Sequence, residues 1–160
     1  MQRIDVKTIY PDDGSQYQYW SDYQPMLEAF GTIAVQHDDC DYQGDSRVLF
    51  DCDGRVGHLV FGWGSCSGCD ALQACDTYDD LQNLCDSLQD DILWFDTYQE
   101  ALDWFNSHDW QGDYGYEDNK PYIEGAVAYL ERKIEEETNI DESDVSINEF
   151  IGMKGVPVCS

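Results

Sequence analysis

Between Val56 and Cys75 the chain reads VGHLVFGWGSCSGCDALQAC, and this stretch most limits the architectures open to it. Val56 to Trp63 is apolar enough to be a buried, central strand. A turn of Gly, Ser and Cys follows, and then the start of a helix. Just upstream, Arg47 to Cys52 is a second apolar run, and Asp53-Gly54 lies between the two. An Asp-Gly pair so flanked is a strong hairpin signal, because both residues accept the positive φ that a tight two-residue turn requires. Upstream of the hinge the patterning is mostly strand, and downstream it is mostly helix.

The rest of the chain fits around that hinge. Arg3 to Tyr10 alternates and reads as a first strand, closed by the turn PDDG. Ser15 to Gln24 is aromatic and polar without clear periodicity. Pro25 to Phe30 suits a short helix stopped at Gly31, and Thr32 to Gln36 a short strand leading into the acidic loop HDDCDYQGD. Beyond the hinge, Asp76-Thr77-Tyr78 and Asp96-Thr97-Tyr98 each open a helix, with Asp80 or Glu100 three residues after the Thr, as in a capping box. Leu81, Leu84, Cys85, Leu88 and Ile92 share one helical face; Tyr98, Ala101, Leu102 and Phe105 share another. Ile92 to Phe95 reads as a short extended link or strand. Pro121 opens a third helix behind Asn119, with Ile123, Val127, Leu130 and Ile134 as its stripe. The expected fold is therefore α+β: an antiparallel sheet of about four strands, followed by three or more helices packed on one face. Residues 1–138 form a single globular domain in this reading, and 139–160 a loosely attached C-terminal segment.

Composition narrows the function classes. Thirty-four acids face eight Lys and Arg, a formal net charge of −26. That field repels nucleic acid and anionic membranes as direct partners, and favours cations or a basic protein surface. Five Trp and eleven Tyr set the chain apart from disordered acidic sequences, which are poor in aromatics. No apolar run approaches the eighteen or so residues of a membrane span, and MQRIDVKTIY lacks the apolar core of a signal peptide. The expected setting is the cytoplasm of a host cell, with reduced thiols. Seven cysteines also argue against a purely intramolecular disulfide framework.

Cys66 and Cys69 form a Cys-x-x-Cys at the strand-to-helix turn. A helix N-terminus stabilises a thiolate, so the pair can be read as redox-active or as a nucleophile, with His37, His58 and His108 the available bases. Cys66, Cys69 and Cys75 with Cys85 or His58 can be read as zinc ligands, although a second close cysteine pair is lacking. The plainer reading leads: small residues allow a tight turn and close packing, and free Cys serves as a small hydrophobe. No cofactor is expected on that reading. Calcium is a weaker option, since DCDYQGD and DYGYEDN supply oxygens without matching the twelve-residue calcium loop.

The segment GDSRVLF…FGWGSCSGCDALQAC, continuing to a helix of pattern WF-D-T-Y-x-E-A-L-x-WF, resembles uncharacterised small acidic proteins of bacteriophages and bacteria. The likeness spans Gly44 to Phe105, and the cysteine turn is its most specific part. It implies a phage or mobile-element provenance and carries no catalytic or binding role.

The charge itself then becomes the main functional lead. Carboxylates opposite a leucine face stand about 5–6 Å apart at helical spacing, and rows of them can imitate phosphates. Asp79, Asp80, Asp86, Asp90 and Asp91 are the expected contact residues on the first long helix, and Asp113, Glu117 and Asp118, with Tyr114 and Tyr116, in and after the second acidic loop. Tyr19, Trp20, Tyr23 and Trp110 are further candidate anchors. The sequence thus suggests a non-enzymatic, phage-type inhibitor that mimics nucleic acid and occludes a basic site on a host nuclease or nucleic-acid-binding protein. Alternatives are a zinc- or thiol-dependent protein, a phage accessory structural protein, or charge that serves only solubility or salt adaptation.

Overall fold

The computed structural model describes residues 2–113 and 116–146, the side chains of Tyr116 and residues 141–146 excepted. Its frame is a four-stranded antiparallel meander in the order β1-β2-β3-β4: Ile33–Asp38, Gly44–Cys52, Arg55–Trp63 and Leu93–Phe95. The β2–β3 hairpin pairs from Gly44 with Trp63 down to Cys52 with Arg55. Asp53 and Gly54 form its turn at φ 56° and 95°, the left-handed pair that the Asp-Gly signal implies. Asp51 Oδ1 accepts the Gly54 N–H at 3.0 Å and closes the turn from inside. β3 is central, as its apolar sequence requires, and the three-residue β4 keeps the adjoining edge short.

The α+β class and the antiparallel sheet agree with the sequence, but the helices divide between both faces. α1 (Val6–Ile9), α2 (Gln24–Phe30) and α3 (Tyr78–Asp91) cover one face. There Val48, Phe50, Leu59 and Phe61 meet Met26, Leu27, Phe30, Leu81, Cys85 and Leu88. α4 (Tyr98–Ser107) and α5 (Tyr116–Ser146) cover the other, where Leu49 and Val56 meet Ala101, Phe105, Tyr122, Ala126 and Leu130. Successive β2 residues point to opposite faces, so the continuous buried run from Ser46 to Asp51 signals a sheet covered twice.

Three local expectations change. Residues 3–10 are not a strand: Val6–Ile9 is a helical turn capped by Asp5, whose side chain accepts the Lys7 N–H. The fourth strand is instead the short link Leu93–Phe95. No helix starts at the cysteine turn. Residues 70–75 form further turns, with the Ala74 N–H donating to Asp70 O, and α3 begins only at Tyr78. Both Thr caps form as expected, Thr77 accepting from the Asp80 N–H and Thr97 from the Glu100 N–H. α5 starts five residues before Pro121 and runs to Ser146; the rest of the expected C-terminal segment lies outside the described residues.

Candidate functional site

The acidic β1–β2 loop and the start of α5 are brought together by one buried cation. Arg47, 1 % exposed in the middle of β2, donates from Nη1 to Asp39 Oδ1 at 2.8 Å and from Nε to Asn119 Oδ1 on α5. Asp39 Oδ2 accepts the Asp45 N–H at 2.9 Å, so the loop is folded back on its own base. Burial opposes ionisation of Asp39, but the Arg47 hydrogen bond, the Asp45 N–H and the Arg47 charge outweigh it and hold the carboxyl below its ordinary range. An open cleft of ≈ 260 Å³ results, lined by Asp38, Asp39, Asp41, Glu117 and Asp118 together with His37 and Cys40. Tyr42, 85 % exposed, is in the same loop.

Few positive charges are left over among the described residues. Arg3 pairs with Asp86, Arg55 with Asp96, Lys120 with Glu117, and Arg132 and Lys133 with Glu136. Lys7 lies over the Tyr78 ring, 5.5 Å from its centre.

The expected contact residues take different roles. Asp79, Asp90, Asp91 and Asp118 are exposed. Asp80 is a cap, accepting the Asp76 and Thr77 N–H groups at 3.0 and 3.2 Å. Asp86 anchors the N-terminal segment, accepting from Arg3 and from Gln82 Nε2. Asp113 meets His108 Nε2 at 2.9 Å, and Glu117 meets Lys120 Nζ at 3.0 Å. Tyr114 and the Tyr116 side chain lie outside the described residues. Two expected anchors are turned inward: Trp20 is buried against Tyr78, and half-buried Tyr23 donates its hydroxyl to Asp70 at 2.8 Å. Trp110 is half-buried, stacked on Phe105. Among the described residues, Tyr17, Tyr19 and Tyr42 are the large aromatics exposed to solvent.

The four candidate zinc ligands are not gathered. Cys66 and Cys69 are exposed on the turn, whereas Cys75 and Cys85 are buried, and burial pushes each of those thiols up to about 11. Among the described residues no group of three or more His, Cys, Asp or Glu is placed to hold a metal ion. The Cys66 and Cys69 Sγ atoms themselves are 3.0 Å apart.

The α4/α5 face of the sheet holds a polar row that composition and spacing do not announce. Besides Arg47 it contains Asp51, which accepts from Tyr98 Oη at 2.9 Å and from Tyr129 Oη. Next comes His58, whose Nδ1 is 2.7 Å from Tyr122 Oη. Tyr122 spends its proton on Val48 O at 3.1 Å, so His58 Nδ1–H is the donor to it. Trp104, Phe105 and Trp110 enclose the imidazole, and burial, followed by the nearby His108, lowers its pKa to about 4. A charged residue inside an apolar strand, as in RVLFD, is the signal by which Arg47 and Asp51 can be noticed from sequence.

No protein-family model matches the chain, and comparison with the curated proteins and with the solved structures yields no match. No helix among the described residues is long and apolar enough to cross a membrane.

Proposed function

We propose that this chain is a non-enzymatic inhibitor of phage type that occludes the basic nucleic-acid-binding surface of a host protein by presenting carboxylates where phosphates would sit. The observation that supports this reading is the cleft in which Asp38, Asp39 and Asp41 meet Glu117 and Asp118. Carboxylates from two elements line that cleft, on a chain whose net charge is −26. That charge far exceeds the magnitude of about 2–8 that keeps a small domain soluble. The β1–β2 loop and the first turn of α5 make the primary contact in this proposal, with Tyr42 as an apolar anchor. Asp79, Asp90 and Asp91 extend the acidic surface along α3, whereas Asp80 and Asp86 are committed to structure. The fitting targets are effectors of host defence, a CRISPR nuclease or a restriction enzyme, or another DNA- or RNA-binding protein, encountered in the host cytoplasm.

Binding to a panel of such nucleases, measured at 50 and 200 mM salt with and without competing DNA, tests the reading. Affinity should fall steeply with salt, because displaced counterions return to the basic partner's groove. DNA should compete, and a double variant Asp41→Asn, Asp118→Asn should bind more weakly. Salt-independent binding, or simultaneous binding of DNA and this chain to one target, would rule mimicry out.

A further inference from the structure

We propose that Cys66 and Cys69 are a redox-responsive dithiol, which closes to an intramolecular disulfide by exchange with a low-molecular-weight disulfide of the glutathione class. The two Sγ atoms are 3.0 Å apart, and both side chains are exposed. Their approach follows from the shape of the turn. The Cys69 and Asp70 N–H groups both donate to Cys66 O, at 3.0 and 2.9 Å, and the Cys66 N–H donates back to Cys69 Sγ at 3.2 Å.

The turn is held from behind by a buried carboxylate. Asp70, 3 % exposed, accepts from the Gly64 N–H at 3.3 Å, the Gln73 N–H at 3.1 Å and Tyr23 Oη at 2.8 Å. Gly64 backs onto Cys69 so closely that a Cβ there would stand 2.5 Å from Cys69 O and 2.6 Å from its Sγ. The pair is therefore pre-positioned, and closing it requires little reorganisation.

The geometry also assigns the roles. The hydrogen bond from the Cys66 thiol, and after it the Cys66 N–H, holds the Cys69 thiol below its ordinary pKa. Cys69 is thus the thiolate that attacks. Its sulfur displaces one thiolate from the small disulfide and forms a mixed disulfide. Cys66 then gives its proton to solvent and attacks the Cys69 sulfur, expelling the second thiolate. The protein loses two electrons and two protons, and the small disulfide is reduced to two thiols. The second step is intramolecular, so the mixed disulfide should be short-lived. Cys75 and Cys85 are buried with raised thiol pKa values and take no part.

The full chain, incubated at pH 7.5 in mixtures of reduced and oxidised glutathione, is quenched with acid, alkylated and mapped by mass spectrometry. A Cys66–Cys69 disulfide should form reversibly, with glutathione retained on neither residue. Exposed Cys40, which has no such neighbour thiol among the described residues, should instead carry a glutathionyl adduct. Cys66→Ser should trap the adduct on Cys69. Cys69→Ser should slow adduct formation at Cys66 at least tenfold relative to that trapped rate. The proposal is overturned if Cys66 and Cys69 carry stable adducts like Cys40, or if both stay reduced while Cys40 reacts. Binding of the nuclease panel is a separate measurement, so the two proposals fail independently.

Discussion

Asp39 receives a 2.8 Å hydrogen bond from Arg47, a cation placed in the middle of a buried strand. The pair joins the core to the acidic cleft, because the same guanidinium reaches Asn119 on α5. Removing one partner of a buried ion pair strands the other and costs about 3–5 kcal/mol, and the loss is smaller when the charge left behind, here the partly exposed Asp39 carboxylate, can still reach water. Asp39 retains some exposure, so Asp39→Ala is expected near the lower limit, about 3 kcal/mol. Arg47→Met should be milder. Urea unfolding of the two variants checks the order, and equal losses would show that Arg47 finds alternative partners in Asp45 and Asn119. The pH dependence has a definite sign. Asp39 is held below its unfolded-state pKa, so its contribution is complete above the ordinary carboxylate range and is lost as pH falls through the lower folded value.

His58 provides a second pH test with a different window. Its folded pKa, lowered to about 4 chiefly by burial, lies below the ordinary 6.5. The unfolded chain therefore binds a proton first. Stability from the neutral imidazole is complete above pH 6.5 and is lost progressively as pH falls to about 4, by roughly 3 kcal/mol at about 1.4 kcal/mol per unit. The stability gap between the wild-type chain and His58→Gln should thus narrow between pH 7.5 and 5. Imidazole resonances followed by NMR give the pKa directly. A His58 titration near 6.5 would contradict the buried, neutral ring.

The sequence made the hairpin legible because Asp53-Gly54 acts locally, and made both Thr caps legible for the same reason. The alternation of Ile4, Val6 and Tyr10 misled because the competing interactions are remote. Gln82 on α3 accepts the Val6 N–H and donates to Ile4 O, while Arg3 clasps Asp86. These bonds tie the segment to a helix rather than to the sheet. The α5 partners of the polar row were hidden for a related reason. Tyr122 and Asn119 belong to the face of α5 that turns toward the sheet, yet the apolar stripe drawn through Ile123, Val127, Leu130 and Ile134 places that face one residue off. Of those four, Leu130 is fully buried and the others are half-buried. The charge total was visible at once, but the carboxylates that share a cleft depend on where Arg47 pulls the loop.

The two helix starts make a matched pair of probes. At α3, Thr77 Oγ1 accepts from the Asp80 N–H at 3.1 Å, and Asp80 returns the bond to the Thr77 and Asp76 N–H groups. At α4, Thr97 Oγ1 accepts from the Glu100 N–H at 3.1 Å, and Glu100 reaches the Asp96 N–H. Thr77→Ala and Thr97→Ala should each cost about 1 kcal/mol in thermal or urea unfolding, and Thr→Asn at either position much less. Losses below a few tenths of a kcal/mol at both sites would mean that packing, and not the caps, fixes where these helices begin.

Salt should stabilise this chain, although it contains several ion pairs. Exposed pairs such as Arg3–Asp86 and Lys120–Glu117 contribute little, and screening weakens them further. Against that stands the mutual repulsion of a chain with net charge −26, most of it relieved when the chain unfolds and its carboxylates separate. The Debye length falls from about 30 Å at 0.01 M salt to about 10 Å at 0.1 M, which cuts repulsion across the whole surface but leaves contact pairs partly intact. The melting temperature should therefore rise with sodium chloride over 0.01–0.5 M and level off once neighbouring carboxylates are screened from one another. Neutralising Asp41 and Asp118 together should raise the low-salt melting temperature and flatten the salt response, because both residues face the crowded cleft. A melting temperature that falls with added chloride would mean that the ion pairs outweigh the repulsion, and that the acidic surface carries little stored strain for a basic partner to relieve.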